Sequence, residues 1–498
     1  MNMQKEANQH NQATSTNSIG LRQLLCDYFA KCADVKVETF QFATTDSSVP
    51  ISFFYCDGLI DARMYRQFVF SDLQKKFSRY SSLEELDRSL PVQPIDSPID
   101  LKEIERELFI GKLIITVDSY DRAFVLDISD PPNRSPEESN TEISVKGPKD
   151  GFTESVSTNI ALIRKRLRSE SMWHERFTIG QRSQSQVALL YIKDIIDPKL
   201  IEEVRHRLTS ISVDALVSSS QLGEALGDSS YSLFPLLDYI GRPDYVVQSL
   251  LRGRFIIFIE GSPMALIGPT NLLLTLKSPE DIHFPFYFVT FERILRLLGL
   301  IVSIFTPGFW TALISFNVEQ LPFPLLATVT TARVGLPLSS SMEMFLMLGL
   351  FEIFREAGIR LPKAVGQTVA VVGGLIVGDA SIRAGLGSPT TLVVAAVTAV
   401  ATFTLVNQSL SGTVSVLRIF VLIVSSFLGM YGFFLSILSI VLYLSTQESF
   451  GLPYLAPISP PTFKDMLQSL IALPLKAMKK RPKILHTTDP TRQGSDEA

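Results

Sequence analysis

The sequence predicts an α/β region of two tandem mixed subdomains followed by an α-helical domain that crosses a membrane several times. Three observations carry this. Charged residues crowd the first part of the 498-residue chain, and only twelve Asp, Glu, Lys or Arg fall between Ile294 and Gln447. Two runs, Ala384–Leu417 and Ile419–Gln447, hold no charge and are separated by Arg418 alone. The first part repeats a pattern of strand, helix and hairpin. A helix needs roughly 20 apolar residues to cross a ~30 Å hydrocarbon layer. Segments that cross must satisfy their backbone polar groups internally, so runs this long belong to membrane helices rather than water-soluble cores.

Residues 1–18 are polar throughout, lack the apolar stretch of a signal peptide and read as a disordered tail. The first subdomain spans 19–129. Val35–Phe42 and Ile51–Tyr55 read as strands, Leu59–Phe77 as a helix by its 3.6-residue apolar spacing, and Lys112–Asp118 with Ala123–Ser129 as a hairpin. Residues 130–150 are proline-rich and polar, a linker. The second subdomain spans 151–283 and echoes the first. Leu190–Asp197 (LYIKDIID) follows Phe54–Asp61 (FYCDGLID) by 136 residues, and Gly253–Gly268 follows Gly111–Asp127 by 142 residues. Each of the last two segments starts at a glycine ending a helix and reads as strand–turn–strand. A duplication is the favoured reading, with two ordinary modules of the same kind as the alternative.

The membrane domain spans 284–446. Phe284–Phe291 packs five aromatics into eight residues, as an interfacial belt does. Spans are expected at Ile294–Phe316, Ala364–Ala380, Thr390–Leu410 and Val414–Leu444. The last is long enough to tilt or bend. Met342–Arg355 leaves two readings, an interfacial helix or a span whose Glu343, Glu352 and Arg355 face protein or water, so the count is four or five. Residues 447–498 read as a cytoplasmic tail in which Lys476, Lys479, Lys480, Arg481 and Lys483 cluster, while Arg293 and Arg296 flank the first span. Both ends should then be cytoplasmic and the crossings even in number. Four crossings, however, put Arg355, Arg360 and Lys363 on the outer side, against the same rule.

Gly358 to Ser388 holds seven glycines. Glycine costs a helix about 0.8–1 kcal/mol relative to alanine and is tolerated in membranes where helices pack closely. One reading is therefore a packing face with close approach at Gly366, Gly373 and Gly374. The other is a short helix lining a passage, with Gln367, Val371, Leu375 and Gly378 on one face. In a ring of subunits that face sets an amide near one mouth and an apolar constriction deeper, which can select and gate.

The net charge of −4 supplies no broad basic surface for nucleic acid. Cys26, Cys32 and Cys56, an odd number in the polar part, read as reduced thiols. No phosphate loop, dinucleotide fingerprint, HExxH, paired CxxC or G-x-S-x-G occurs, and the five histidines are scattered. No catalysis, cofactor or metal is expected.

Four stretches resemble one family. REAGIRLPKAVGQTVAVVGGLIVGDA (Arg355–Ala380), KGPKDGFTESVSTNIALIRKRLRS (Lys146–Ser169), FPLLDYIGRPDYVVQSLLRGRFIIFIEGSP (Phe234–Pro263) and ESFGLPYLAP (Glu448–Pro457) are similar to the A subunits of GerA-type spore germination nutrient receptors. The likeness covers Lys146 to Pro457; the rest matches in layout only. It implies a permease-like B subunit and a lipoprotein C subunit as partners, in the inner membrane of the bacterial spore. It also implies a homo-oligomeric ring, a pentamer, around a gated channel for monovalent cations, with the pore at the glycine-rich span and thus at Gln367 and Val371. Rival readings are a secondary transporter of the nutrient, weakened because the visible repeat lies in the polar part, and a scaffold or sensor without a pore.

Overall fold

The β-branched and aromatic runs of the first part form two five-stranded sheets, and the charge-poor part forms a helical bundle. A computed structural model describes residues 21–43, 48–67, 93–95, 101–117, 122–130, 144–229, 231–360, 378–474 and 477–492. Residues 1–226, 239–268 and 485–491 group into one unit, and the bundle with 227–238, 269–484 and 492–498 into another.

In the sheet unit, α1 (Leu21–Tyr28) precedes β1 (Val35–Ala43), β2 (Ser48–Cys56), α2 (Ala62–Arg66), β3 (Gln93–Pro94), α3 (Leu101–Ile110), β4 (Leu113–Val117) and β5 (Arg122–Leu126). These strands lie in the order β1-β2-β4-β5-β3. Then come α4 (Val156–Arg166), β6 (Met172–Ile179), β7 (Ser185–Ile192), α5 (Pro198–Ser210), α6 (Ser219–Leu226), β8 (Asp238–Ile240), α7 (Pro243–Leu251), β9 (Phe255–Ile259) and β10 (Ala265–Gly268). Their order is β6-β7-β9-β10-β8, the same path through a sheet.

Residues aligned in sequence take equivalent places. Asp61 and Asp197 each cap the helix after the second strand of their sheet, accepting hydrogen bonds from the Arg63 and Met64 amides and from the Lys199 amide. Gly111 and Gly253 each end the helix before the fourth strand, with φ of +105° and +91°. That left-handed geometry is open to glycine at no steric cost. The helix expected over Leu59–Phe77 begins later, at Ala62, because Leu59 and Ile60 form a turn and bridge and Asp61 caps it; residues 68–77 lie outside the described residues, as does most of the 130–150 linker.

A dry ion pair fastens the two sheets' subdomains together. Asp34, just before β1, accepts from Arg164 of α4 through Nε at 2.9 Å and Nη2 at 3.1 Å. Arg164 is fully buried, also donates to the Ser169 and Met172 carbonyls, and lies 3.9 Å over the Phe109 ring. Buried His174 of β6 brings Nδ1 to 3.8 Å from Asp34. Burial alone would raise the Asp34 carboxyl, but the charge and hydrogen bonds of the Arg164 guanidinium, with His174 close by, hold it far below the usual carboxylate range. Burial pushes the Cys32 thiol up to about 11 and also raises Cys56, so both stay protonated and inert.

The chain end contributes to the same unit. Thr488 donates from its amide to Ile195 O and from its hydroxyl to Ile196 O, each at 2.9 Å, and Thr487 sits where a side chain on Gly253 would be.

In the bundle unit, α8 (Leu272–Thr275) leads to α9 (Phe286–Phe316), α10 (Phe323–Arg333), α11 (Ser340–Arg360), α12 (Pro389–Phe403) and α13 (Gln408–Thr446). By length and composition Phe286–Phe316 and Ser409–Thr446 are apolar and long enough to cross a membrane, and Pro389–Phe403 is apolar but shorter. The aromatic belt is the first turns of α9 rather than a lead-in to it. Met342–Arg355 lies within one continuous helix, α11. The span expected at Thr390–Leu410 ends at Phe403, because Asn407 caps a new helix by accepting from the Leu410 amide.

The Val414–Leu444 span is corrected more deeply. α13 is interrupted at Gly429, whose φ of 61° and ψ of −142° are not helical. Thr413 donates to the Leu233 carbonyl, and the Tyr443 hydroxyl accepts from the Leu233 amide. A straight helix would hold Thr413 and Tyr443 about 45 Å apart. The chain therefore doubles back at Gly429 into two antiparallel arms, and a Cβ on Gly432 would come within 2.5 Å of the Val424 carbonyl oxygen.

The tail beyond α13 is folded as well. The strand pair β11 (Glu448–Ser449) and β12 (Leu452–Pro453) turns through Gly451 at φ +74°, and α14 (Phe463–Leu470) follows. Ser449 Oγ donates to Leu236 O and accepts from the Thr270 amide, while Leu272 N donates to Tyr454 O and Asn271 Nδ2 to Ala456 O. These bonds tie the ESFGLPYLAP stretch to Leu236 and to Thr270–Leu272 within the same unit.

Candidate functional site

Apolar helices that nonetheless carry ionisable residues inside a bundle are the natural place to look for function. α11 supplies three, and each meets a partner on another helix. Near its start, fully buried Glu343 accepts through Oε2 from the Ser388 amide at 3.3 Å, the Ser388 hydroxyl at 3.1 Å and the Thr391 hydroxyl at 3.1 Å. Ser388 caps α12, so an anionic group lies at a helix N-terminus, where the dipole favours it. Arg333 of α10 comes within 3.9 Å of the other oxygen.

About two and a half turns further along α11, Glu352 is held between two arginines. Arg418 Nη2 donates to it at 3.0 Å, and Arg355 Nη2 donates to its other oxygen. Buried Arg418 also donates to Thr402 at 3.2 Å and Ser415 at 3.3 Å, and Arg355 to Ser411 at 2.9 Å. The seam thus ties α11 to α12 and to the first arm of α13. The sequence offered a signal for it: Arg418 stands alone between two charge-free runs, and in apolar surroundings such a residue needs an acid nearby.

Replacing Glu352 with Gln leaves Arg418 without its acid. A loss of about 2–3 kcal/mol is expected in thermal unfolding of the detergent-solubilised protein, below the 3–5 of a fully buried pair because Glu352 is 34% exposed. The double variant Glu352→Gln/Arg418→Met should recover most of it.

The pairings also set helix directions. Glu343 meets Ser388 and Thr391, whereas Glu352 shares Arg418 with Thr402, so α11 and α12 run parallel. Arg355 meets Ser411 while Glu352 meets Arg418, so α11 and the first arm of α13 are antiparallel. The end of α11 and the start of α12 therefore lie at opposite ends of the bundle.

The connection between α11 and α12 contains the glycine-rich segment. Gln367, Val371 and Leu375, read as pore-lining, and Gly366, Gly373 and Gly374, read as packing positions, lie outside the described residues. Gly378, the fourth residue read as pore-lining, is described. It is buried at the head of a helical stretch over 378–383, and a Cβ there would lie 3.3 Å from Leu392 of α12. Among the described residues no group of three or more His, Cys, Asp or Glu is placed to hold a metal ion.

The family model described as Bacillus/Clostridium GerA spore germination protein matches residues 23–484. The chain belongs to this family. It is the GerA-type family that the four stretches resemble. Among GerA-family relatives, spore germination protein XA of Bacillus anthracis is 44% identical over 470 residues, 94% of this chain and 96% of that protein. Spore germination protein KA of Bacillus subtilis (strain 168) is 32% identical over 468 residues, 93% of this chain and 86% of that protein. A crystal structure of the N-terminal domain of the A subunit of the Bacillus megaterium spore germinant receptor GerK3 aligns at 25% identity with a TM-score of 0.39, covering 51% of this chain and 96% of that one.

Proposed function

We propose that this GerA-family protein is the A subunit of a spore germinant receptor. Several copies would surround an axis in the inner spore membrane and form a nutrient-gated channel for monovalent cations. The observation that carries this is the parallel course of α11 and α12 on either side of the glycine-rich segment, with a charged seam at their contact. α9, α11, α12 and the two arms of α13 supply five crossings, and the return from Arg360 to α12 a sixth. An even count puts both ends of the domain on one side and brings Arg355, at the Ser411 end of the bundle, to that same side. The conflict with the basic-residue rule then disappears.

In this reading the face of Gln367, Val371, Leu375 and Gly378 points to the axis, with Leu392 of α12 beside Gly378 at its edge. The valine ring opposes ions by dewetting, and the amide ring contributes to selection. A permease-like B subunit binds the nutrient and a lipoprotein C subunit completes the complex. Nutrient binding opens the pore only through unequal affinity for the closed and open states.

Val371→Ala tests the pore. It widens and wets the constriction, so spores carrying it should leak potassium and germinate without nutrient, and the reconstituted complex should conduct unprompted. Wild-type conductance in that variant, or flux of the nutrient itself saturating with its concentration, would move the assignment away from a channel.

A further inference from the structure

After the bundle the chain forms α14, whose Phe463 and Leu467 are 76% and 55% exposed and whose following residue, Ile471, is 36% exposed. The spacing of four puts all three on one face. The opposite face is anchored: Asp465 is buried and accepts from the Lys483 amide at 3.1 Å. Arg293 Nη1 of α9 donates to Ser469 O at 3.2 Å, and the Ala472 amide donates to the Thr290 hydroxyl at 3.0 Å. α14 therefore lies level with Thr290 and Arg293, beside the first turns of α9, where Phe286, Tyr287 and Phe291 are also exposed. Lys464, Lys480 and Lys483 are all exposed on the same stretch of chain.

We propose that α14 and the basic stretch after it form an interfacial anchor for anionic phospholipid, resting on the membrane reading above. Phe463, Leu467 and Ile471 enter the boundary between headgroups and acyl chains at the depth of the α9 aromatics. Lys464, Lys480 and Lys483 meet the phosphates. An amphipathic helix with lysines at its polar edge is suited to this position, and a lysine near an anionic surface contributes about 1 kcal/mol, a factor of about five. The aromatic residues of α9 continue the same apolar surface, which favours lipid over a protein partner as the occupant.

Benzoylphenylalanine in place of Phe463 tests this in the full-length protein reconstituted in vesicles of equal phosphatidylcholine and phosphatidylglycerol. The same probe at Ile301, 47% exposed in the middle of α9, reports on the bilayer itself. Photolysis should attach lipid at both positions, with phosphatidylglycerol enriched at 463 only. Lys480→Gln/Lys483→Gln should reduce that enrichment several-fold while the Ile301 adducts stay unchanged. Lipid at 301 with a second copy or another subunit captured at 463 would overturn the anchor alone. Equal capture of the two lipids at 463 would overturn its anionic selectivity. No lipid at either position would overturn the membrane reading on which it rests.

Discussion

Asp34→Ala is expected to destabilise the full-length protein by about 3–5 kcal/mol, because it strands a fully buried guanidinium. Thermal unfolding of the solubilised protein, followed by the near-ultraviolet signal of Trp173 in the second sheet, would measure it. The asymmetry of buried pairs supplies the control. Asp34→Leu with Arg164→Met removes both charges, and the double variant should lose far less than either single one. Acid should act as the single variant does. The Asp34 carboxyl is depressed in the folded protein, so its contribution is complete above the ordinary carboxylate value of about 3.9 and is lost as pH falls below that towards the folded value. A stability that stayed flat from about pH 5 down to about pH 2 would exclude this role for the pair.

Gly429→Ala should cost about 3 kcal/mol and disturb the bundle far more than Gly412→Ala in the first arm of α13. The φ and ψ of Gly429 are close to a region only glycine occupies, a strain of about 1–3 kcal/mol for other residues. A Cβ there would also lie 2.8 Å from Cγ of the Phe316 ring, at the end of α9. Gly412 is the reference: it lies in the first arm of the same element, and a methyl group added there would have nothing within 4 Å. Gly412→Ala should therefore be neutral or stabilising by up to about 1 kcal/mol. Equal effects at the two positions would argue against a reversal at Gly429.

The sheets were legible because their signals are local. Alternating apolar residues mark the strands, aspartates mark two helix starts, and glycines at 111 and 253 mark two helix ends. The hairpin in α13 was not legible, since Ile419–Gln447 is apolar on every side and gives no periodicity from which a reversal could be read. Gly429 and Gly432 were the available cues, and glycines are common in membrane helices. The Asp34–Arg164 pair was missed for another reason. Both residues sit among ordinary surface charges in sequence, and only the approach of β1 to α4 withdraws them from water. The charged seam was half legible: isolated ionisable residues announced a need for partners, but their pairing across α11, α12 and α13 is a matter of tertiary structure.

The hydrogen bonds of Thr488 to Ile195 and Ile196 have a consequence for biosynthesis. The second subdomain leaves the ribosome with the turn after β7 still bare, and the residues that cover it are translated about 200 residues after β10, roughly 10–40 s later at about 5–20 residues per second. During that interval the helices of the bundle are being made. Thr487 and Thr488 then close the polar part like a latch, so a chain stalled before them would carry an incomplete surface open to proteases.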